Sequence, residues 1–482
     1  MTAQSPDLDP DVVLGDVDDA DMVVADVVVV GLGVGGEAVA EQLADAGVDV
    51  IGIEAELKGG ECPYWGCIPT KMMLRAANLL AEARRAPALA GAVSGIEPDW
   101  SLVARRIRAE ATDSWDDSVA VTRFTDKGGR FIRGRARILD RHRVEVPGTG
   151  VIQARRALVI GSGTRAAIPP IPGLAGTPYW TNREAVETEA LPGSMAIVGG
   201  GAIGCELGQA FARFGTKVTI VESADRLIAA EEPEASELLA AALQSDGIAL
   251  RLGVGVTKVE YADGFAVRLD DGETLRAQVL LIATGRRPAI DTDQWAALGL
   301  AGDPGYLPVD DRLRVRATDD SDQHAVYAVG DIAGKGAFTH MATYQADIVA
   351  RELLGRDGPA ANYRATPRVT FTDPEIGVVG LTEAQAREDG ITVAIGTAQI
   401  PATSRGWIHK AGNAGLIKLV VDADTDLLVG ALSAGPTGGE VLGALAVAVH
   451  AQVPIATLES MIYAYPTFHR GILDAIHNLR SS

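Results

Sequence analysis

Two stretches of this chain share one design, and that repetition constrains the fold more than any other feature. The first runs Val27-Val-Val-Val-Gly31-Leu-Gly33-Val-Gly-Gly36 and closes on Val50-Ile-Gly-Ile-Glu54. The second runs Ala196-Ile-Val-Gly199-Gly-Gly201-Ala-Ile-Gly204 and closes on Val218-Thr-Ile-Val-Glu222. In each, the first glycine precedes the terminal glutamate by 23 positions, and a further glycine, Gly47 or Gly215, falls at the same offset. This pattern predicts strand, glycine turn, helix, strand: a unit of a doubly wound parallel sheet. The first glycine permits the tight turn, the second lets backbone approach a pyrophosphate, and the third allows close helix–strand packing. The closing acid is placed to accept hydrogen bonds from ribose hydroxyls. One such glycine turn is a common accident; two with matching strands, helices and acids read as two dinucleotide sites. At the second, Glu222 pairs with a free 2′-hydroxyl and repels a 2′-phosphate, which favours NADH and leaves NADPH as the alternative. Arg226, four residues on, would soften that preference.

At 482 residues the chain exceeds what one core serves and should divide into about three domains. Its net charge of −21 argues against nucleic acid and anionic membrane as partners, since both would be repelled. The first 57 residues hold no Lys or Arg, which fits neither a secretory signal nor a transit peptide. No apolar run approaches the roughly 20 residues needed to span a bilayer. A cytoplasmic location is expected, with residues 1–24 as a disordered acidic tail.

Three cysteines are too few for a disulfide framework. Two lie five positions apart in Gly59-Gly60-Glu61-Cys62-Pro63-Tyr64-Trp65-Gly66-Cys67-Ile68-Pro69-Thr70-Lys71. The run that follows, with Met72, Leu74, Ala77, Leu79 and Leu80, predicts a helix with the cysteines at its N-terminal end. There the helix dipole lowers a thiol pKa. A zinc half-site is the first alternative, but no second Cys/His cluster exists to complete four ligands. A pair of inert buried thiols is the second. The flanking glycines, prolines and Lys71 favour a redox pair. Cys205, inside the second glycine helix, reads as structural.

At these residues the chain resembles the pyridine nucleotide–disulfide oxidoreductases, the group of dihydrolipoamide dehydrogenase, glutathione reductase and mercuric reductase. The resemblance also rests on Ala283-Thr-Gly285-Arg-Arg-Pro288, Tyr327-Ala-Val-Gly330-Asp331, Phe371-Thr-Asp-Pro-Glu-Ile376 and Tyr465-Pro-Thr467. It implies an α/β architecture: two Rossmann-like dinucleotide-binding domains, for FAD and NAD, plus a C-terminal α+β dimerisation domain. The FAD domain would take 25–168 and 290–360, the NAD domain 169–289 and the interface domain 361–482. It implies FAD on Gly31, Gly33, Gly36 and Glu54, and NAD(H) on Gly199, Gly201, Gly204 and Glu222. Gly285 and Gly330 would also bind cofactor, and Asp331 would bond the ribityl chain. Cys67 would be the charge-transfer thiolate, Cys62 the interchange thiol, and Lys71, paired with Glu206, would sit near the flavin. A homodimer would share each active site between subunits.

The chain departs from that pattern at Tyr465-Pro466-Thr467-Phe468-His469-Arg470. Disulfide reductases of the family usually carry His-Pro-Thr-x-x-Glu there, and an unperturbed phenol near pKa 10 is a poor base at neutral pH. His469, four residues on at a predicted helix start, is a candidate substitute. Tyr64 stands where relatives often have Asn, enlarging the aromatic surface around the pair with Trp65. The leading expectation is a flavoprotein reductase using NADH and acting on a small-molecule disulfide or dithiol. The alternatives are a metal-ion (mercuric-type) or quinone reductase and, from another class, a nucleotide-binding protein without turnover.

Overall fold

The computed structural model describes residues 22–317 and 324–481. β-branched apolar runs with no polar face form strands buried on both sides. Val27, Val28 and Val29 in the strand Val23–Val30 are fully buried, as are Leu158, Val159 and Ile160 in Gly150–Ile160. These two strands pair in parallel at the centre of a seven-stranded sheet. Val50–Glu54 and Arg130–Arg133 extend it on one side. Arg143–Val146 and Arg137–Ile138 run antiparallel on the other, and Ala325–Ala328 joins Gly150–Ile160 from far along the chain. Burial of each such Val, Leu or Ile side chain stabilises by roughly 1.5–3 kcal/mol.

The second unit repeats the plan in a four-stranded parallel sheet: Ala249–Leu252, Lys217–Glu222, Ser194–Val198, Val279–Ile282. Its helix Ala202–Phe214 stops at Gly215, whose φ of +113° is a left-handed cap that a side chain would strain. A three-stranded antiparallel sheet, 256–277, covers one face. A two-stranded ribbon, Thr164–Ala166 with Arg286–Pro288, lies where the chain crosses between the two units. The third unit is a six-stranded antiparallel sheet from Pro367 to Ser481, with the helix Gly438–His450 on it.

Four details differ from the sequence reading. Val23 and Val24 already pair with Ile152 and Gln153, so the strand starts inside the stretch read as an acidic tail; residues 1–21 lie outside the described residues. In the helix Cys67–Arg85 the core face is Thr70, Met73, Leu74, Ala77 and Ala81, while Leu79 is 51% exposed. Helical rotation puts Leu79 on the far side from Ala77. Tyr64 and Trp65 are buried and add no open aromatic surface beside the thiols. Tyr465 and His469 lie outside any helix: Gly471–His477 starts two residues after His469, with Arg470 as its N-cap. Pro466, with its missing N–H, suits the turn that carries them.

Candidate active site

Cys67 is the first residue of the helix Cys67–Arg85, and Cys62 sits in the separate turn Glu61–Tyr64. Both are free thiols. Gly66 breaks the two helices apart: a Cβ there would stand 3.0 Å from Glu61 O. The Cys67 sulfur lies 3.3 Å from the Thr339 hydroxyl. The hydrogen bond from the Cys62 thiol, then Thr339 and the Lys71 ammonium, hold Cys67 well below an ordinary thiol, at about 5, against the opposing effect of burial. The same sulfur–sulfur hydrogen bond, with burial, pushes Cys62 up. The pair thus keeps one proton, on Cys62.

Lys71 Nζ donates to Glu206 Oε2 at 2.8 Å, and Glu206 Oε1 accepts from the Phe371 N–H at 2.8 Å. The ammonium lies 4.6 Å from the Phe371 ring centroid. Glu206 is buried, so this cation is what makes its charge tolerable there.

The two glycine turns match atom for atom. A Cβ on Gly36 would fall 1.9 Å from Gly31 O, and on Gly204 2.1 Å from Gly199 O. Glu54 Oε2 accepts from Leu32 N at 2.7 Å and Oε1 from Glu56 N at 2.8 Å. Glu222 Oε2 accepts from Gly200 N at 2.6 Å and Oε1 from Ala224 N at 2.8 Å. The middle glycines behave differently: a Cβ on Gly201 meets nothing within 4 Å, and on Gly33 only Gly60 Cα at 3.9 Å. The protein's own packing does not require glycine at these two positions. A diphosphate lying against the backbone does, so both turns fit a dinucleotide.

The profile of the pyridine nucleotide-disulphide oxidoreductases matches residues 25–346, and that of their dimerisation domain matches 366–476. The chain belongs to the pyridine nucleotide-disulphide oxidoreductase family. It is 32% identical to a dihydrolipoyl dehydrogenase of Haloferax volcanii, covering 95% of this chain and 98% of that one. It is also 32% identical to a mercuric reductase of Shigella flexneri, covering 92% and 79%. Among solved structures, the HOCl-induced flavoprotein disulfide reductase RclA of Escherichia coli superposes with a TM-score of 0.80 at 28% identity, over 94% of this chain and 99% of that one. A Cu(II) complex of RclA gives 0.81.

A pyridine nucleotide-disulphide oxidoreductase is a flavoprotein using FAD and a nicotinamide nucleotide, and its dimerisation domain fits a homodimer. Near the first turn, Asp331 Oδ2 accepts from the Thr164 hydroxyl at 2.6 Å, and Arg286 Nε donates to that same hydroxyl at 2.7 Å. Gly285 and Gly330 both adopt positive φ, +112° and +76°. Tyr465 is 69% exposed, and the Arg470 guanidinium lies 5.7 Å from its ring centroid. His469 packs on Tyr463, centroids 5.9 Å apart. No contact joins either residue to the thiols of its own chain among the described residues.

Sequence reading missed a network around the dithiol. Glu61 accepts from Asn182 at 2.9 Å and from Arg183 Nε at 2.7 Å, with Arg286 at 3.8 Å. Arg183 lies 4.2 Å from the Trp65 ring centroid, and Trp65 Nε1 donates to Glu187 at 2.6 Å. Glu61, directly before Cys62, was the available signal.

Proposed function

We propose that this enzyme passes two electrons from NADH through the Cys62–Cys67 pair to a small-molecule disulfide. The geometry that carries this is the Cys67 sulfur at the N-terminus of its helix, 3.3 Å from the Thr339 hydroxyl, where the Cys62 thiol and the Lys71 ammonium lower its pKa while Cys62 is pushed up. A hydride equivalent brings two electrons and one proton. Breaking the Cys62–Cys67 bond with it yields one thiol and one thiolate, the state that the site favours. FAD, when bound, supplies hydride acceptance from the nicotinamide and two-electron delivery to the disulfide. Gly31, Gly33, Gly36, Glu54 and Asp331 would hold it; Gly199, Gly201, Gly204 and Glu222 would hold the nicotinamide nucleotide.

Cys62 then attacks the acceptor. A mixed disulfide forms, the acceptor's S–S bond breaks, and the Cys62 proton goes to the first leaving sulfur. Cys67 attacks Cys62, restores the pair and expels the second thiolate, which takes a proton from water. The balance is NADH, H⁺ and RSSR giving NAD⁺ and two RSH. Tyr465 of the second subunit would face Cys62 and stand where a general acid–base is needed, with His469 as the alternative. The nicotinamide preference is read from Glu222 and from Arg226, whose Nη2 is turned to Ala229 O at 2.5 Å and Glu231 O at 3.1 Å. The reaction fits a cytoplasmic setting, where thiols are kept reduced.

A second reading, reduction of a metal ion or quinone on the same scaffold, is favoured by the mercuric reductases and the Cu(II) complex among the similar proteins. Steady-state turnover with NADH across lipoamide, low-molecular-weight disulfides, quinones, Hg(II) and Cu(II) separates the two. The disulfide reading expects disulfides to lead and Cys62→Ser to abolish their reduction while NADH still bleaches the flavin. Acceptor reduction that survives Cys62→Ser would sink it.

A further inference from the structure

The C-terminal unit carries a surface that breaks with the acidity of the rest of the chain. Segments 399–413 and 461–473 contain Arg405, His409, Lys410, His469 and Arg470 and no Asp or Glu, in a chain of net charge −21. The fold makes them one surface. The helix Ser404–His409 meets the Tyr465 loop through Phe468. His409 stands edge-on to the Phe468 ring, centroids 5.5 Å apart, and the Arg405 guanidinium lies 5.5 Å from that ring's centroid. Arg470 covers Tyr465 and reaches Asp474 at 3.4 Å. Neither Arg405 nor Lys410 has a carboxylate partner among the described residues. Beside them Trp407 is 72% exposed.

Two cations without carboxylate partners among the described residues, and an indole that its own chain leaves uncovered, are a costly way to build a solvated face. A core role would bury the indole, and a plain solvated face would not carry one. Together they offer a charged fork for a carboxylate and a flat face for stacking. Fixed positive charge also repels a free metal cation. We infer that the physiological acceptor is a small organic anion with a flat or apolar part, held by Arg405, Lys410 and Trp407 beside Tyr465. This rests on the proposed reading that Tyr465 faces the second subunit's dithiol, and the redox step is the one balanced above.

The test compares kcat/KM for lipoate and lipoamide, which share a disulfide ring and differ in one carboxylate. It adds the aromatic pair dithiobis(nitrobenzoate), an anion, and neutral dithiodipyridine. Wild-type enzyme should prefer lipoate by about tenfold, the worth of one charge-assisted contact, and lose that preference as salt rises. Arg405→Gln with Lys410→Gln should lower the lipoate/lipoamide ratio by about the same factor, and Lys410→Glu should lower it further. Trp407→Ala should cost the aromatic anion more than lipoate. A ratio indifferent to charge, salt and these substitutions would overturn the inference, as would a Trp407→Ala chain that merely dissociates to monomers with the ratio intact. Should a variant fail to fold, the salt dependence of the wild-type ratio decides alone. Cys62→Ser separates the two claims. Lipoate reduction that survives it defeats the thiol route, whereas its loss with a flat charge ratio defeats only the anion site.

Discussion

Among single residues, the proton shared by Cys62 and Cys67 has the most direct consequence. On the proposed route, Cys62 must give up a proton that the Cys67 sulfur helps to hold, while Cys67 is held well below an ordinary thiol, at about 5. The reduced pair should therefore lose its first proton near pH 5, where Cys67 is held, against about 8.5 for a free thiol. Pre-reduced protein alkylated with iodoacetamide over a pH series would show this as a Cys67 modification rate that levels off above pH 6 or so. Cys62→Ser replaces the largest contributor and Lys71→Met removes a further one, so both should move the inflection upward. An inflection that stays in place in both variants would mean that the helix N-terminus alone sets it. Glu206 acts on the same residue at one remove. Its carboxylate holds the Lys71 ammonium, and Glu206→Gln should slow flavin reduction by NADH in single turnover more than it weakens NADH binding.

At the scale of elements, the two strand–glycine–helix–strand units were legible because their constraints are local. A left-handed φ at Gly31 and Gly199, and the collisions that a Cβ would make at Gly36 and Gly204, involve residues within five positions. The start of the helix at Cys67 was legible for the same reason. Thr339 against Cys67, and Asn182, Arg183 and Arg286 against Glu61, were silent because they come from 121 to 272 positions away. No local pattern records such a meeting. The second unit carries a prediction about nucleotide choice: with Glu222 held by two backbone N–H groups and Arg226 turned away, kcat/KM for NADH should exceed that for NADPH by about tenfold. Glu222→Ala should narrow the gap, and an NADPH preference in the wild type would show that another cation governs the ribose. The first unit carries one about stability. Lys58 is fully buried beside its helix and donates to Glu37 at 2.5 Å and Glu41 at 2.8 Å. Burial alone would raise the Glu41 carboxyl, but hydrogen bonds from Lys58, Lys127 and Arg123 outweigh it and hold it at about 2. A carboxyl depressed in the fold stabilises it above the unfolded value of about 4.3 and loses that contribution as pH falls toward 2. Lys58→Met, leaving carboxylates without their buried cation, should cost about 3–5 kcal/mol in urea unfolding at neutral pH. The loss should shrink in acid.

Over the whole molecule, buried ion pairs decide what can meet what. Arg213, almost fully buried, donates to Asp246 at 2.9 Å, to Asn78 at 2.6 Å and to Asp373 at 2.8 Å, and so ties the redox helix, the second nucleotide unit and the C-terminal unit together. Lys418, on the C-terminal sheet, reaches Glu232 at 2.9 Å and Glu234 at 2.8 Å on the nucleotide unit. Those ties fix the C-terminal unit against its own chain in a position where Tyr465 stays exposed and makes no contact with Cys62 of that chain. On the proposed reading, a second copy brings this phenol to the thiol. In a two-fold dimer each site would then take Cys62 from one subunit and Tyr465 from the other. Mixed dimers test this without any structural probe. Cys62→Ser homodimers lack the attacking thiol at both sites, and Tyr465→Ala homodimers should lose about 10²–10⁴-fold if the phenol manages protons. Unfolding and refolding an equal mixture should place both lesions at one site of each heterodimer and leave the other site intact. With random pairing, half the dimers are mixed, so about a quarter of wild-type disulfide reduction should return. If each subunit instead built its own site, every site would carry one lesion, and activity would stay at the average of the two parents.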